Sequence, residues 1–149
     1  AYVPANKRSQ MTKTERNTLI VDAYNANPTS MAAALENFSN VAADCKVALL
    51  GDMLELGEES VAEHVAVIKS ACSRGLAHVY FVGKEFQAAT GALSNELGTE
   101  AAAQLLSNSD FFSTSDELAA HLASDQLSDA TILIKGSRGT RMENVIPVL

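Results

Sequence analysis

Several chemistries are excluded by what this sequence has little of. Only two of its 149 residues are cysteine, Cys45 and Cys72, with no C-x-x-C spacing and no histidine cluster beside them. That argues against a disulfide scaffold or a zinc module and predicts two buried free thiols in a reducing compartment. The apolar runs are no longer than a strand, so no segment is expected to span a membrane. No stretch at the start has the charged beginning, apolar middle and small-residue cleavage site of a secretion signal. The chain is therefore expected in the cytoplasm. Its start, which lacks an initiator methionine, reads as that of a piece of something longer. Acidic residues outnumber basic ones 18 to 11, for a net charge of −7. Nucleic-acid binding calls for a basic face, whereas one small basic pocket is enough for a nucleotide. Three motifs are missing as well: G-x-G-x-x-G after the first strand, G-x-x-x-x-G-K-[ST] anywhere, and G-x-S-x-G. The chain thus has neither a dinucleotide fingerprint, a phosphate-cradling loop, nor a nucleophile elbow.

What is present is an alternation of strands and helices. With 47% hydrophobic and 19% charged residues, the composition is globular, and the length predicts one domain over 1–149. Residues 1–16 read as a leading segment from a preceding domain, with an edge strand near 11–14 that turns at 15–17 into a central strand, TLIVD. Met31, Leu35, Phe38 and Ala42 recur at helical spacing and predict a helix over about 30–40. VALL (47–50) is the next strand. Ser60 and Glu63 have capping-box spacing before a helix with Val61, Val65, Ile68 and Cys72 on its apolar side. His64 lies beside that stripe and reads as a surface or half-buried residue. Strands at 79–82 and 131–134, helices at about 86–97 and 114–123, and a final helix over 140–148 complete the pattern. The stretch 101–109 reads either as helix or as the lead into a short strand at 110–112. Continuously apolar strands alternating with helices predict a Rossmann-like, doubly wound, mostly parallel sheet with an antiparallel edge strand and helices on both faces.

In such a sheet the carboxyl ends of the parallel strands open on one edge, where ligands bind. Four of those ends are polar: Asp22 to Asn27, Gly51 to Glu55, Gly83-Lys84, and Lys135 to Arg138. Asp22 suits the hydroxyls of a ribose, and equally the start of an Asx turn. Asn25 and Asn27 carry the same two readings, since Asn-Pro is a turn and helix-cap signal. Tyr24 can lie against a base or pack in the core. Lys135, Ser137 and Arg138 offer two cations and a hydroxyl ahead of a helix, suited to a carboxylate or phosphate, or form a solvated basic turn. Asp52, Glu55, Glu58 and Glu59 either attract an amine or magnesium, or complement a helix dipole. A polar binding edge without a phosphate loop reads as half of an active site.

Taken together and in order, DAYNANPTSM, GDMLELG and ILIKGSRGTRMENVI resemble the carboxy-terminal domain of the Mur ligases. Within that family the resemblance is to the branch that adds D-Ala-D-Ala to UDP-N-acetylmuramoyl-tripeptide in peptidoglycan synthesis. It implies an ATP-dependent amide ligase that works through an acyl phosphate with Mg2+. The N-terminal domain and the central ATPase domain, which carries the phosphate loop and metal ligands, are absent here, so the piece alone is expected to be inactive. The resemblance makes Arg8 the arginine that approaches the ATP phosphates from the domain junction. It assigns Asp22 to the ribose and Tyr24, Asn25 and Asn27 to the nucleotide wall. Lys135, Ser137 and Arg138, with Asp52 bordering the same cleft, face the incoming amino substrate. A monomer without nucleic-acid or membrane partners is expected. A receiver-like signalling module, with Asp22, Asp52 and Lys135 as its acidic site and lysine, and a non-catalytic interaction domain are the alternatives.

Overall fold

The computed structural model describes residues 10–22 and 26–149. The chain runs through β1 (Gln10–Lys13), β2 (Thr18–Asp22), α1 (Pro28–Ser39), β3 (Lys46–Gly51), α2 (Ser60–Cys72), β4 (His78–Val82), α3 (Lys84–Leu97), α4 (Thr99–Leu105), β5 (Ser109–Phe112), α5 (Ser115–Ser124) and β6 (Thr131–Lys135). A 3-10 turn, Gly57–Glu59, leads into α2, and two more, Arg138–Thr140 and Met142–Val148, follow β6. The six strands form one sheet in the order β1-β2-β6-β3-β4-β5. Among the described residues only the β1–β2 pair is antiparallel, with Gln10 opposite Val21, which is the hairpin edge expected from the sequence.

Alternation along the strands sorts their side chains between two cores. Ala48, Leu50, Val79, Phe81 and Leu133 face Met31, Leu35 and Phe38 of α1 and the apolar sides of α2, α3 and α4. Val47, Leu49, Tyr80, Val82, Ile132 and Ile134 face Leu118 and Leu122 of α5 and the closing segment's Met142 and Val145. Each fully buried Leu, Ile or Phe side chain contributes about 1.5–3 kcal/mol. No helix among the described residues is long and apolar enough to cross a membrane.

The structure corrects several local expectations. α1 starts two residues early because Asn27 caps it, accepting from Ser30 N at 2.8 Å while Ser30 Oγ accepts from Asn27 N at 3.0 Å. The Ser60–Glu63 capping box does not form: the preceding 3-10 turn merges into α2, and the Ser60 hydroxyl points instead to Glu85 and His64. Val61 is exposed, and His64, fully buried, takes its place on the inner side. Cys45 and Cys72 are free but half-buried rather than buried. Residues 99–105 resolve as helix, with β5 following. The closing segment is 3-10 rather than α, because Arg141 takes a left-handed backbone (φ 52°) and Pro147 has no N–H to donate.

One lysine organises the turn after α1. The Lys46 ammonium donates to the carbonyls of Phe38, Ser39 and Val41 at 3.2, 3.0 and 3.1 Å. Its three protons thereby serve two carbonyls of the last helical turn and one of the turn that follows it. Lys46→Met keeps the stem and removes the cap, and is expected to cost about 2 kcal/mol in urea unfolding. An unchanged midpoint would show that water serves those carbonyls equally well.

Candidate functional site at the carboxyl edge

The crevice follows from the strand order. After β2 and β3 the chain crosses one face through α1 and α2, whereas after β6, which lies between them, it turns to the opposite face. Loops that part in this way leave a cleft at the carboxyl ends of the strands, the switch-point position of doubly wound sheets. Asp22 and Lys135, the last residues of β2 and β6, are register partners there. Lys135 Nζ lies 3.0 Å from Asp22 Oδ2, and the lysine is only 1% exposed. The second carboxylate oxygen, Asp22 Oδ1, is buried with no hydrogen-bond partner among the described residues. Asp22, Lys135, Asn27, Ser30, Asn37 and Ile20 line a cavity of about 370 Å3 beside α1. Its polar end thus has the Asp22 carboxylate, paired with Lys135, next to the capped start of a helix.

The turn after β6 is held from several sides. Ser137 N donates to Asp52 O at 3.0 Å, and Ser137 Oγ accepts from Leu54 N at 3.0 Å while donating to Ala26 O at 3.3 Å. One buried serine therefore joins the loops that follow β2, β3 and β6. Thr140 donates through both its N–H (2.9 Å) and its hydroxyl (2.6 Å) to Ser137 O. At Gly136 a side chain would meet Gly51 Cα at 2.8 Å and Thr140 Oγ1 at 2.8 Å, so only glycine allows this approach. Arg138 is exposed at the start of the 3-10 turn beyond.

Asp52 is 4% exposed, and its carboxylate accepts from Glu85 N at 2.9 Å and Phe86 N at 3.0 Å. It caps α3 from a distance because the residue at the cap position is Gly83, which has no side chain. Burial pushes the Asp52 carboxyl above the ordinary aspartate value, against the lowering effect of the two backbone donors. The folded state thus holds this proton more tightly than the unfolded chain does. The contribution of Asp52 to stability is present below the ordinary value and falls as pH rises through the raised one.

Of the residues singled out from the sequence, Asp22, Asn27, Asp52, Lys135, Ser137 and Arg138 lie along this one edge. Asp22, Asn27 and Lys135 share the cavity, whereas Asp52 and Ser137 are bonded into the scaffold beneath it. Arg8, Tyr24 and Asn25 lie outside the described residues. Glu55, Glu58 and Glu59 form no metal-ligand group, and none of three or more such side chains occurs among the described residues. A receiver-type phosphate acceptor at Asp52 conflicts with its burial and its two backbone bonds. Sequence reading missed the burial of His64, whose Nε2 accepts from Met53 N at 3.0 Å, and placed Gly83 at a strand end without the role that its φ of 124° and its contact with Asp52 give it.

Fold and crevice together define a doubly wound α/β domain with a crevice at its switch point and no phosphate loop in its sequence. The chain belongs to the Mur ligase family: residues 7–138 match the model described as Mur ligase, glutamate ligase domain. It is 32% identical over 139 residues to the UDP-N-acetylmuramoyl-tripeptide–D-alanyl-D-alanine ligase of Rickettsia prowazekii, covering 93% of this chain and 29% of that protein. To the enzyme of the same name from Escherichia coli it is 36% identical, covering 91% of this chain and 27% of that protein. A crystal structure of MurF from Acinetobacter baumannii superposes with a TM-score of 0.75 at 30% identity, covering 94% of this chain and 29% of that one. The chain thus spans less than a third of the relatives it matches.

Gly83→Ala would put a methyl group 2.1 Å from Asp52 Oδ2 on a backbone that side chains rarely adopt. It is expected to cost about 3 kcal/mol through strain and loss of the α3 cap. Thermal unfolding checks this, and a melting temperature equal to wild type would show that Asp52 is not held over the glycine.

Proposed function

We propose that this chain is the carboxy-terminal domain of an ATP-dependent ligase that joins D-Ala-D-Ala to UDP-N-acetylmuramoyl-tripeptide in the cytoplasm. The observation that carries this is the Asp22–Lys135 pair at the switch point, with Asp22 Oδ1 buried and unpartnered among the described residues. A carboxylate so placed accepts from a sugar hydroxyl, and its lysine neighbour holds it in position at the strand end. In this reading Asp22 holds the ribose, and Tyr24, Asn25 and Asn27 form the nucleotide wall. Arg8 approaches the phosphates from the domain junction. Lys135, Ser137 and Arg138 hold the carboxylate of the incoming dipeptide, with Asp52 at the border of the same cleft.

The chemistry divides between domains. A carboxylate oxygen of the muramoyl tripeptide attacks the γ-phosphorus of ATP, ADP leaves, and an acyl phosphate forms. The dipeptide amine then attacks the acyl carbon and loses a proton, and phosphate departs with the cleaved C–O bond. This domain's contribution is to orient both ligands, which converts encounters into positioned reactants. Mg2+ would supply charge neutralisation at the phosphates. Because the described residues offer no ligand set for it, its ligands are assigned here to the central domain, outside this chain. The isolated chain, a monomer in this proposal, is inactive.

In the complete ligase, Asp22→Asn keeps the shape but weakens acceptance from the ribose. It should raise KM for ATP about tenfold. Equal KM values for ATP would remove the nucleotide assignment. A complete chain that turns over ATP but ligates no dipeptide would remove the substrate assignment.

A further inference from the structure

We infer that His64, far from the cleft in sequence and fully buried, is a positioning residue for the amino-substrate side of the site. The inference rests on the reading of the Lys135–Arg138 turn given above. Both ring nitrogens of His64 have partners of fixed character. Nδ1 lies 2.7 Å from Ser60 O, a group that can only accept. Nε2 lies 3.0 Å from Met53 N–H, a group that can only donate. These partners require the neutral ring with its proton on Nδ1. Asp52 Oδ1 is 3.9 Å from Nε2, beyond hydrogen-bond distance. Phe86 meets the ring edge-on with centroids 4.6 Å apart, which fixes its plane. Ser60 is in turn bonded through its hydroxyl to Glu85 at the start of α3.

A chain of contacts runs from this ring to the turn. Met53 sits between Asp52, whose carbonyl accepts from Ser137 N, and Leu54, whose N–H donates to Ser137 Oγ. Fixing the Met53 N–H therefore fixes the two backbone groups that grip Ser137, and with it the segment from Lys135 to Arg138. α2 holds the loop after β3, and that loop holds the turn after β6. His64, Met53 and Leu54 touch no ligand and act through Ser137, so their effect should appear in the affinity of the group that faces the turn and not in the nucleotide half of the cleft.

Two amide substitutions separate positioning from mere packing. The Gln side chain reaches where Nε2 lies, so His64→Gln keeps an acceptor for Met53 N–H. The shorter Asn reaches only where Nδ1 lies, so His64→Asn keeps the bond to Ser60 O and loses Met53. In the complete ligase, His64→Asn should raise KM for D-Ala-D-Ala about tenfold, with KM for ATP unchanged and His64→Gln close to wild type. Equal impairment of the two variants, or a change in KM for ATP instead, overturns the inference. Amide hydrogen exchange in the 149-residue chain reads the relay without activity: His64→Asn should speed exchange at Met53, Leu54 and Ser137. Unchanged exchange at all three overturns the relay itself. Faster exchange with an unmoved dipeptide KM leaves the relay standing and overturns the substrate reading of the turn. If neither variant folds, imidazole nitrogen shifts of the wild-type chain decide. A proton on Nδ1 supports the inference, and a proton on Nε2, which would face Met53 N–H donor to donor, overturns it.

Discussion

A lysine ammonium buried at the end of a central strand is the condition on which the rest of this edge depends. Removing an ammonium from water costs several kcal/mol unless a carboxylate and good geometry compensate. Here the compensation comes from the neighbouring strand, because the parallel register of β2 and β6 sets Asp22 beside Lys135. β2 has only β1 as its other neighbour, so the hairpin joins the sheet through β6 alone. Removing Lys135 would leave the Asp22 carboxylate without its ion-pair partner, at a cost of about 3–5 kcal/mol. The pair thus anchors the edge hairpin and fixes the Asp22 carboxylate at the switch point.

Around that pair the binding edge is built by exclusion. Gly51 and Gly136 leave no room between β3, β6 and the side chains of Thr140 and Met142. Ser137 occupies the point where three loops meet, with its N–H and hydroxyl both engaged. A turn bonded this completely loses little freedom when a ligand arrives, and such preorganisation is how a small site gains affinity. Ser137 therefore contributes its backbone placement and the direction of its neighbours more than a free hydroxyl.

The sheet was legible in the sequence because buried parallel strands leave continuous apolar runs, as in VALL and TILI, and polar residues stand where each run stops. The edge residues Asp22, Asp52 and Lys135 were found by that rule alone. Long-range partners leave no such trace. Asp52 reads as one of four acids near a helix, yet it caps α3, more than thirty residues later, because Gly83 offers no side chain there. Ser60 and Glu63 have the spacing of a capping box, but a tertiary contact to Glu85 took the hydroxyl. His64 falls beside the predicted stripe, and only the loop packed against α2 draws it inward. Helical periodicity likewise described 140–148 well enough to place Met142 and Val145 in the core, while Arg141 and Pro147 decided the tighter 3-10 form.

The strand order also governs how the chain can assemble. β6 is the last strand made, yet it lies between β2 and β3, which do not touch each other. Until residues 131–135 are available, the first hairpin has no sheet to join and one edge of β3 is unpaired. The domain cannot be completed progressively from its amino end as it is synthesised. Its sheet closes when the final strand is inserted, a step dominated by contacts distant in sequence and therefore slow among elementary folding events. The residue that completes the cleft, Lys135, arrives on that same strand, so the binding edge and the finished fold come into being together.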